Sequence, residues 1–279
     1  MRRRAEARSR LSQRRLKKDE CSATRSEKSP QSCATPLTSP RGSSTAPVKA
    51  IFFDLGETLV TQNIEDNLVT IKALEKISTI LPGHKSPSEL FTIYKQGYKV
   101  NEAFRTKHHV EIPIQAWMVQ LLRLALGQEP EDSLVEEAIN IVVSARAENA
   151  VVFPNSKPLL EKLSKRKIKL GIISNVSSHD VAVEILRKVG LIEYFDKVVT
   201  SAFVGIRKPD PGIFLYALMQ FNLQPREAVI VGDSEKHDVW GGTITGMKTV
   251  LVSKRPASDS LADYRFASLA EASGTLASL

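Results

Sequence analysis

Ile51-Phe52-Phe53-Asp54-Leu55-Gly56-Glu57-Thr58-Leu59-Val60 is the stretch on which the fold turns. Residues 49–53 make a short apolar run that stops at an acidic residue and a glycine-containing turn. A run of that length bounded by a turn predicts a strand, and one buried on both faces because its apolar character is continuous. Asp54 stands at its carboxyl end. A single Asp in that place is ordinarily a turn or helix cap, so its meaning depends on whether the rest of the chain repeats the pattern.

It does. After Pro154, apolar strands are predicted at 170–173, 197–199, 228–231 and 249–252, separated by amphipathic helices at 157–165, 181–189, 211–221 and from about 239. Continuous strands alternating with helices indicate an α/β fold, a Rossmann-like parallel sheet with helices on both faces and right-handed crossovers. Ligands in such a sheet sit at the carboxyl ends of the strands. Between 64 and 147 the period changes to that of helices. Leu68, Ile71, Leu74 and Ile77 recur as one apolar face, followed by Leu121, Leu122 and Leu126, then Val135, Ile139 and Val142. Gly83, Pro87, Pro113 and Pro130 divide this stretch into about four helices. The expected organisation is a tail over 1–47, a core domain over 48–62 and 151–279, and an all-helical insert over 63–150. The connections near 61–63 and 147–153 are the expected hinges.

The net charge of +8 invites a nucleic-acid reading, but its location removes it. Residues 1–46 hold 12 basic and 4 acidic residues, which leaves 27 of each after Ala46. The globular part is neutral, and no nucleic-acid partner is expected for it. Arg, Ser, Thr and Pro dominate the tail, which is expected to be disordered. A nucleic-acid or membrane-surface arm and a transit peptide are the functional readings of such a segment. The favoured one is a solvated tail, or an upstream stretch translated from an early start, since a strand opens at Val48. Both cysteines, Cys21 and Cys33, lie there too, so the remaining chain can form neither a disulfide nor a thiolate metal site. No stretch approaches the ~18 apolar residues of a membrane span, and no signal-peptide core follows the basic start. A cytoplasmic protein is expected, with no expectation for its oligomeric state.

Four predicted strands end near residues able to handle a phosphate: Asp54, Ser174, Asp233, and Lys208 in the loop after 197–199. Together they supply a carboxylate nucleophile, a hydroxyl donor, a cation and an acidic metal site, the parts needed to move a phosphoryl group. The four segments also resemble the motifs of the haloacid-dehalogenase (HAD) superfamily. The opening stretch resembles its first motif and Gly171-Ile172-Ile173-Ser174-Asn175 its second. Gly205-Ile206-Arg207-Lys208-Pro209-Asp210-Pro211 resembles the third, and Val231-Gly232-Asp233-Ser234, followed by Asp238 and Gly242, the fourth.

The resemblance covers 48 to the carboxyl terminus and implies that the helical insert is a C1-type cap. It implies Mg²⁺-dependent hydrolysis of a small phosphorylated metabolite, a phosphate monoester, through an aspartyl-phosphate on Asp54. Mg²⁺ would be held by Asp54, the carbonyl of Gly56 and Asp233, with Asp238 a further ligand or an outer group. Ser174 would donate to a phosphoryl oxygen with the Asn175 backbone assisting, and Lys208 would offset the negative charge.

One position departs from the family pattern. Most HAD phosphatases carry an acid/base Asp two residues after the nucleophile, and here that residue is Gly56. Glu57 is adjacent, but successive residues ordinarily point apart. The alternatives are a metal-independent 2-haloacid dehalogenase, which normally lacks the acidic residue at 233, a phosphonatase-like hydrolase using a cap lysine such as Lys95 or Lys99, and a phosphate-binding module with little turnover. Trp117, Met118, Leu121 and Leu122 are expected in the cap core, and Trp240 is expected to pack the last crossover helix. Lys95, Tyr98, Lys99, Arg105 and Lys107 are candidates for contact with a leaving group. His108 and His109 are expected in an interhelical loop, and His237 beside the site.

Overall fold

The computed structural model describes residues 46–83, 85–254 and 259–279; the expectation of a disordered tail concerns residues that, up to 45, lie outside these. In chain order the elements are β1 Ala50–Phe53, β2 Val60–Gln62, α1 Asp66–Ile80, α2 Pro87–His108, α3 Ile114–Leu126, α4 Asp132–Glu148, β3 Ala150–Val152 and α5 Ser156–Ser164. There follow β4 Lys169–Ser174, α6 His179–Lys188, β5 Lys197–Thr200, α7 Ser201–Val204, α8 Pro211–Phe221, β6 Ala228–Gly232, α9 Trp240–Thr245, β7 Lys248–Val252, β8 Tyr264–Phe266 and α10 Leu269–Leu276.

Six strands form one parallel sheet in the order β5-β4-β1-β6-β7-β8. β1 is central and buried throughout. Side chains alternate along it, so Ile51 and Phe53 join one apolar layer with Leu159, Leu163, Leu186 and Leu276. Ala50 and Phe52 join the other, with Phe214, Leu218 and Phe221 of α8. That two-sided demand is why the strand reads as unbroken apolar sequence. Each buried Phe contributes on the order of 1.5–3 kcal/mol. The register pairs Phe53 with Ile172 on one side and Val231 on the other, which brings Asp54, Ser174 and Asp233 to one edge of the sheet.

Four helices intervene between β2 and β3. Ser86 caps α2 with a capping box and Pro87 occupies its first turn, while Gly83 adopts a φ of +86° in the preceding turn. Their shared core includes Leu74, Ile77, Leu90, Met118, Leu122 and Ile139. The stripe on α1 differs from the expected one. Leu68 is exposed, and Val69, Ala73, Leu74 and Ile77 are buried. A strict spacing of three drifts by about 60° per step on a helix of 3.6 residues per turn, so Leu68 and Ile77 cannot share a face.

Trp240 is also a correction, being 45% exposed. A π-helical turn at Glu235–Val239 precedes α9, and Gly241 and Gly242 press against Phe214 and Ile230, so the indole is turned outward. Among the described residues no helix is long and apolar enough to cross a membrane.

The helical insert packs its helix α4 against α6 of the sheet domain and meets that domain in two further places. The connecting segments pair with each other as an antiparallel ribbon, Val60 opposite Val152 and Gln62 opposite Ala150, extended by Asn63 N–H to Asn149 O and Phe153 N–H to Leu59 O. Opposite this ribbon, the α2–α3 loop docks on the loop that carries Lys208. Glu111 N–H donates to Gly205 O at 2.9 Å, Arg207 N–H to His109 O at 2.8 Å, and Ile114 N–H to Ser177 O at 2.7 Å. The Glu111 carboxylate is buried there. It accepts from Arg105 at 3.3 Å, from Arg207, and from Ser201 Oγ at 2.5 Å. Removing one partner of such a cluster strands buried charge. Glu111→Ala is therefore expected to lose about 3–5 kcal/mol of unfolding free energy in denaturant titration, whereas a loss below about 1 kcal/mol would show that the contact is not a structural junction.

Candidate active site

Asp54 follows β1, extends its pairing through Asp54 N–H to Val231 O at 2.8 Å, and is 8% exposed. Lys208 reaches it from the loop after α7. The ammonium is buried and donates to Asp54 Oδ1 at 2.7 Å, Asp238 Oδ1 at 2.6 Å and the Ile173 carbonyl at 2.8 Å, so its three protons each have an acceptor. Its backbone is clamped as well. Lys208 N–H donates to Asn175 Oδ1 at 2.8 Å and Asn175 Nδ2 donates to the Lys208 carbonyl at 2.9 Å. The Asn175 side chain thus ties the end of β4 to the loop holding the cation, a role beyond the backbone one expected of it.

Asp233 and Asp238 complete the edge. Carboxylate oxygens of Asp54, Asp233 and Asp238 lie within 4.8 Å of one another. Asp238 is held by two contacts, to Lys208 and from Ser234 N–H to its second oxygen at 3.1 Å. Gly232 leaves the space for it, since a Cβ there would stand 2.2 Å from the Asp238 carboxyl carbon. Thr58 Oγ1 makes a long contact of 3.5 Å with Asp233. Ser174, at the end of β4, is buried and borders the cavity above this edge. Asp54, Ser174, Asn175, Lys208, Asp233 and Asp238 are therefore brought together, as is Gly56, which borders the same cavity.

Three carboxylates against one ammonium leave an excess of negative charge. Burial, reinforced by Asp54, pushes Asp233 up to about 6. Burial pushes Asp238 up to about 7, with Lys208 opposing and Asp54 adding to the effect. Burial opposes the charge on Lys208, but Asp238 and Asp54 outweigh it and hold the ammonium above its ordinary value. Burial and Lys208 lower His237, which lies beside the site with Nδ1 3.2 Å from Ser234 Oγ. An all-oxygen donor set with surplus negative charge fits a hard divalent cation.

The turn after Asp54 places its strain where the sequence does not advertise it. Glu57, not Gly56, adopts the left-handed conformation, at φ +54°. The Glu57 carboxylate accepts from Thr61 Oγ1 at 2.6 Å. Gly56 is exposed, and a Cβ on it would meet nothing within 4 Å.

Between this edge and the inserted helices lies a cavity of about 500 Å³. Tyr98 and Arg105 of the leaving-group candidates border it; Lys95, Lys99 and Lys107 do not, and all three are exposed. Trp117 borders it too and is only partly buried, which corrects its assignment to the core. Helical spacing cannot distinguish a core face from a cavity wall. Gln62, Glu111 and Arg207 were not singled out by sequence. Arg207 adjoins Lys208 in a quoted motif, which was a usable pointer, but Glu111 lies 96 residues from Arg207.

A family model described as haloacid dehalogenase-like hydrolase matches residues 48–243, and the chain belongs to this family. Within it the chain is a hydrolase of the phosphatase type. It is 29% identical over 205 residues to a glyceraldehyde 3-phosphate phosphatase of Pyrococcus abyssi, across 73% of this chain and 80% of that enzyme. A HAD phosphatase structure from Thermococcus onnurineus is similar with a TM-score of 0.58 and 27% identity, over 82% of this chain and 98% of that one. A 2-haloacid dehalogenase structure from Pseudomonas syringae pv. Tomato DC3000 gives 0.63 and 26%, over 83% and 99%.

A carboxyl group whose folded pKa is raised favours the protonated fold, so stability falls once the pH passes the unfolded value and levels off above the folded one. For Asp233 and Asp238 this cost is absent below their ordinary value of 3.8, accumulates as the pH rises from there, and is complete once the pH has passed about 6 and about 7. A cation that binds their ionised forms competes with protons below those values and cancels the repulsion above them. Mg²⁺ should accordingly raise the melting temperature more at about pH 8 than at about pH 5.5 in thermal-shift measurements; an equal or inverse response would count against a cation among these carboxylates.

Proposed function

We propose that the protein hydrolyses a small phosphate monoester with the aid of Mg²⁺, through an aspartyl-phosphate on Asp54. The observation that carries this reading is the meeting of three carboxylates around one buried, fully hydrogen-bonded lysine at the carboxyl edge of a parallel sheet. Asp54, Asp233 and the Gly56 carbonyl would hold the cation. Asp238, with both oxygens already hydrogen-bonded, suits an outer position. When bound, Mg²⁺ supplies charge neutralisation and Lewis-acid polarisation of the phosphoryl group.

The Asp54 carboxylate attacks phosphorus, the P–O bond to the leaving group breaks, and water then hydrolyses the acyl phosphate. Lys208 fixes the orientation of the nucleophile and reduces the repulsion between two anions. Ser174 donates its hydroxyl to a phosphoryl oxygen, and the Asn175 backbone assists. Helices α1–α4, within 63–150, act as a cap over the sheet edge, with the β2–β3 ribbon as hinge and the Glu111 contact as its closed-state clasp. A dehalogenase reading would leave the Asp233 carboxylate without a role, and a phosphonatase-like reading lacks a lysine on the cavity wall among the described residues.

Asp54→Asn and chelation of Mg²⁺ are each expected to abolish release of inorganic phosphate while leaving the circular dichroism spectrum unchanged. Turnover undiminished by chelator would sink the metal-dependent reading.

No carboxylate stands at position 56 to protonate the departing oxygen, and Glu57 is engaged by Thr61. Esters of acidic alcohols, which need little protonation, are therefore expected to react far faster than alkyl phosphates. Because Gly56 has open space and no left-handed φ, Gly56→Asp should fold normally and speed alkyl ester hydrolysis by up to about 10²-fold. Rapid alkyl ester cleavage by the parent protein, with no gain in the variant, would show that another group supplies the proton.

A further inference from the structure

The two oxygens of the buried Glu111 carboxylate face different parts of the molecule. Oε1 accepts from Arg105 of α2 at 3.3 Å and from Ile112 N–H at 3.0 Å, both within the insert. Oε2 accepts from Arg207 and from Ser201 Oγ at 2.5 Å, both in the sheet domain. Two backbone bonds flank this contact, Glu111 N–H to Gly205 O and Arg207 N–H to His109 O, around a bridge between Val110 and Ile206.

Ser201 carries the contact further. It opens α7 and is fully buried. Its one hydroxyl proton goes to the nearer acceptor, Glu111, rather than to the Val176 carbonyl at 3.1 Å. Its oxygen accepts from Val176 N–H at 2.9 Å, and Ala202 N–H donates to the Val176 carbonyl at 3.1 Å. Both backbone groups of Val176 are thus tied to the start of α7.

Val176 follows Asn175, whose side-chain amide pairs with the Lys208 backbone, and Lys208 follows Arg207, which returns to Glu111. Glu111, Ser201, Val176, Asn175, Lys208 and Arg207 therefore form a closed ring of bonds. The groups that the phosphatase reading sets around a phosphate, Ser174, Asn175 and Lys208, belong to this ring or adjoin it. Glu111 is its one member from the insert.

Neither Glu111, with a side chain 1% exposed, nor Ser201 borders the cavity, so neither touches a substrate. Any effect of theirs on a bound phosphate passes through the ring. Loss of Glu111 leaves the Arg207 guanidinium without its anion and frees the Ser201 hydroxyl, which removes the restraint on both loops.

Building on the phosphatase reading above, we infer that Glu111, acting with Ser201, is a positioning residue for the phosphate site. It fixes the loop after Ser174 and the loop bearing Lys208 relative to one another. Linkage makes the effect reciprocal: what the docked insert adds to phosphate affinity, phosphate adds to the docking.

Inorganic phosphate is the probe, because it carries no leaving group into the cavity. Its affinity for the full chain with Mg²⁺ is measured by calorimetry in the parent, Glu111→Gln and Ser201→Ala proteins, with p-nitrophenyl phosphate turnover alongside. Each substitution should weaken phosphate binding by at least about 5-fold. The double variant should lose less than the product of the two single effects, since both break one ring. In the parent, phosphate should slow hydrogen exchange at the Glu111 and Arg207 amides. A merely structural role would lower the fraction of protein that binds and leave the affinity of the remainder as in the parent. Should Glu111→Gln fail to fold, Ser201→Ala and exchange in the parent decide. Phosphate affinity within about 2-fold of the parent's in a folded variant would overturn the inference, being below the usual range of coupling between sites. Exchange at the two amides that ignores phosphate would overturn it too, and either result leaves the phosphatase reading standing. A parent protein that neither binds phosphate nor cleaves p-nitrophenyl phosphate would overturn that reading itself, and this inference with it.

Discussion

The Lys208 ammonium is buried where three segments of chain converge, and each of its protons is taken by a different one: Asp54 after β1, the Ile173 carbonyl in β4, and Asp238 on the π-turn after β6. A buried cation is tolerable only when its charge and donors are met. Here they are met by groups that would otherwise repel one another. The lysine therefore makes the carboxylate cluster possible, and the cluster keeps the lysine charged. Neither half would be stable alone. The Asn175 amide pair on the Lys208 backbone keeps the cation in register with the end of β4.

Gly232 is required because the Asp238 carboxylate lies where a Cβ would go. The π-turn that presents Asp238 inward also turns Trp240 out to solvent. After Asp54 the chain must leave the sheet abruptly, and it does so through a turn closed by Glu57 N–H to Val60 O at 2.7 Å and Leu59 N–H to Leu55 O at 3.0 Å. The left-handed residue of that turn is Glu57. Gly56 owes its presence to no steric demand visible around it, which makes the missing acid at this position a chemical difference rather than a backbone requirement.

The inserted helices communicate with this edge through Arg207, the neighbour of Lys208. Its guanidinium and that of Arg105 share the Glu111 carboxylate, so the wall of the cavity and the loop bearing the cation are fixed by one anion. That anion and Glu102 together match the charge of the two arginines.

Much of the core could be read directly from the chain. β1 and β6, and β4 and β7 beyond their first residues, are buried on both faces, and burial on both faces forces continuous apolar sequence, which is legible residue by residue. The four helices of the insert are punctuated by Pro87, Pro113, Pro130 and Gly83, whose conformational limits are local. The site residues were legible because each follows directly on a strand or its loop, in motifs a few residues long. What could not be read depends on distant pairing or on direction. β2 and β3 are three residues each and pair with one another across about 90 residues of chain. Tyr264-Arg265-Phe266 lacks an apolar run because its strand lies at the sheet edge. Trp117 and Leu68 have helical spacing, but which side of the helix faces a core, a cavity or water follows from how the helices pack. The sequence by itself determined the sheet, the insert and the candidate residues at the strand ends, since these follow from local pattern and side-chain chemistry. Only the tertiary structure decided that Glu111 pairs with both Arg105 and Arg207 and that position 56 is open, because each of these is a contact or a space between residues that no local rule brings together.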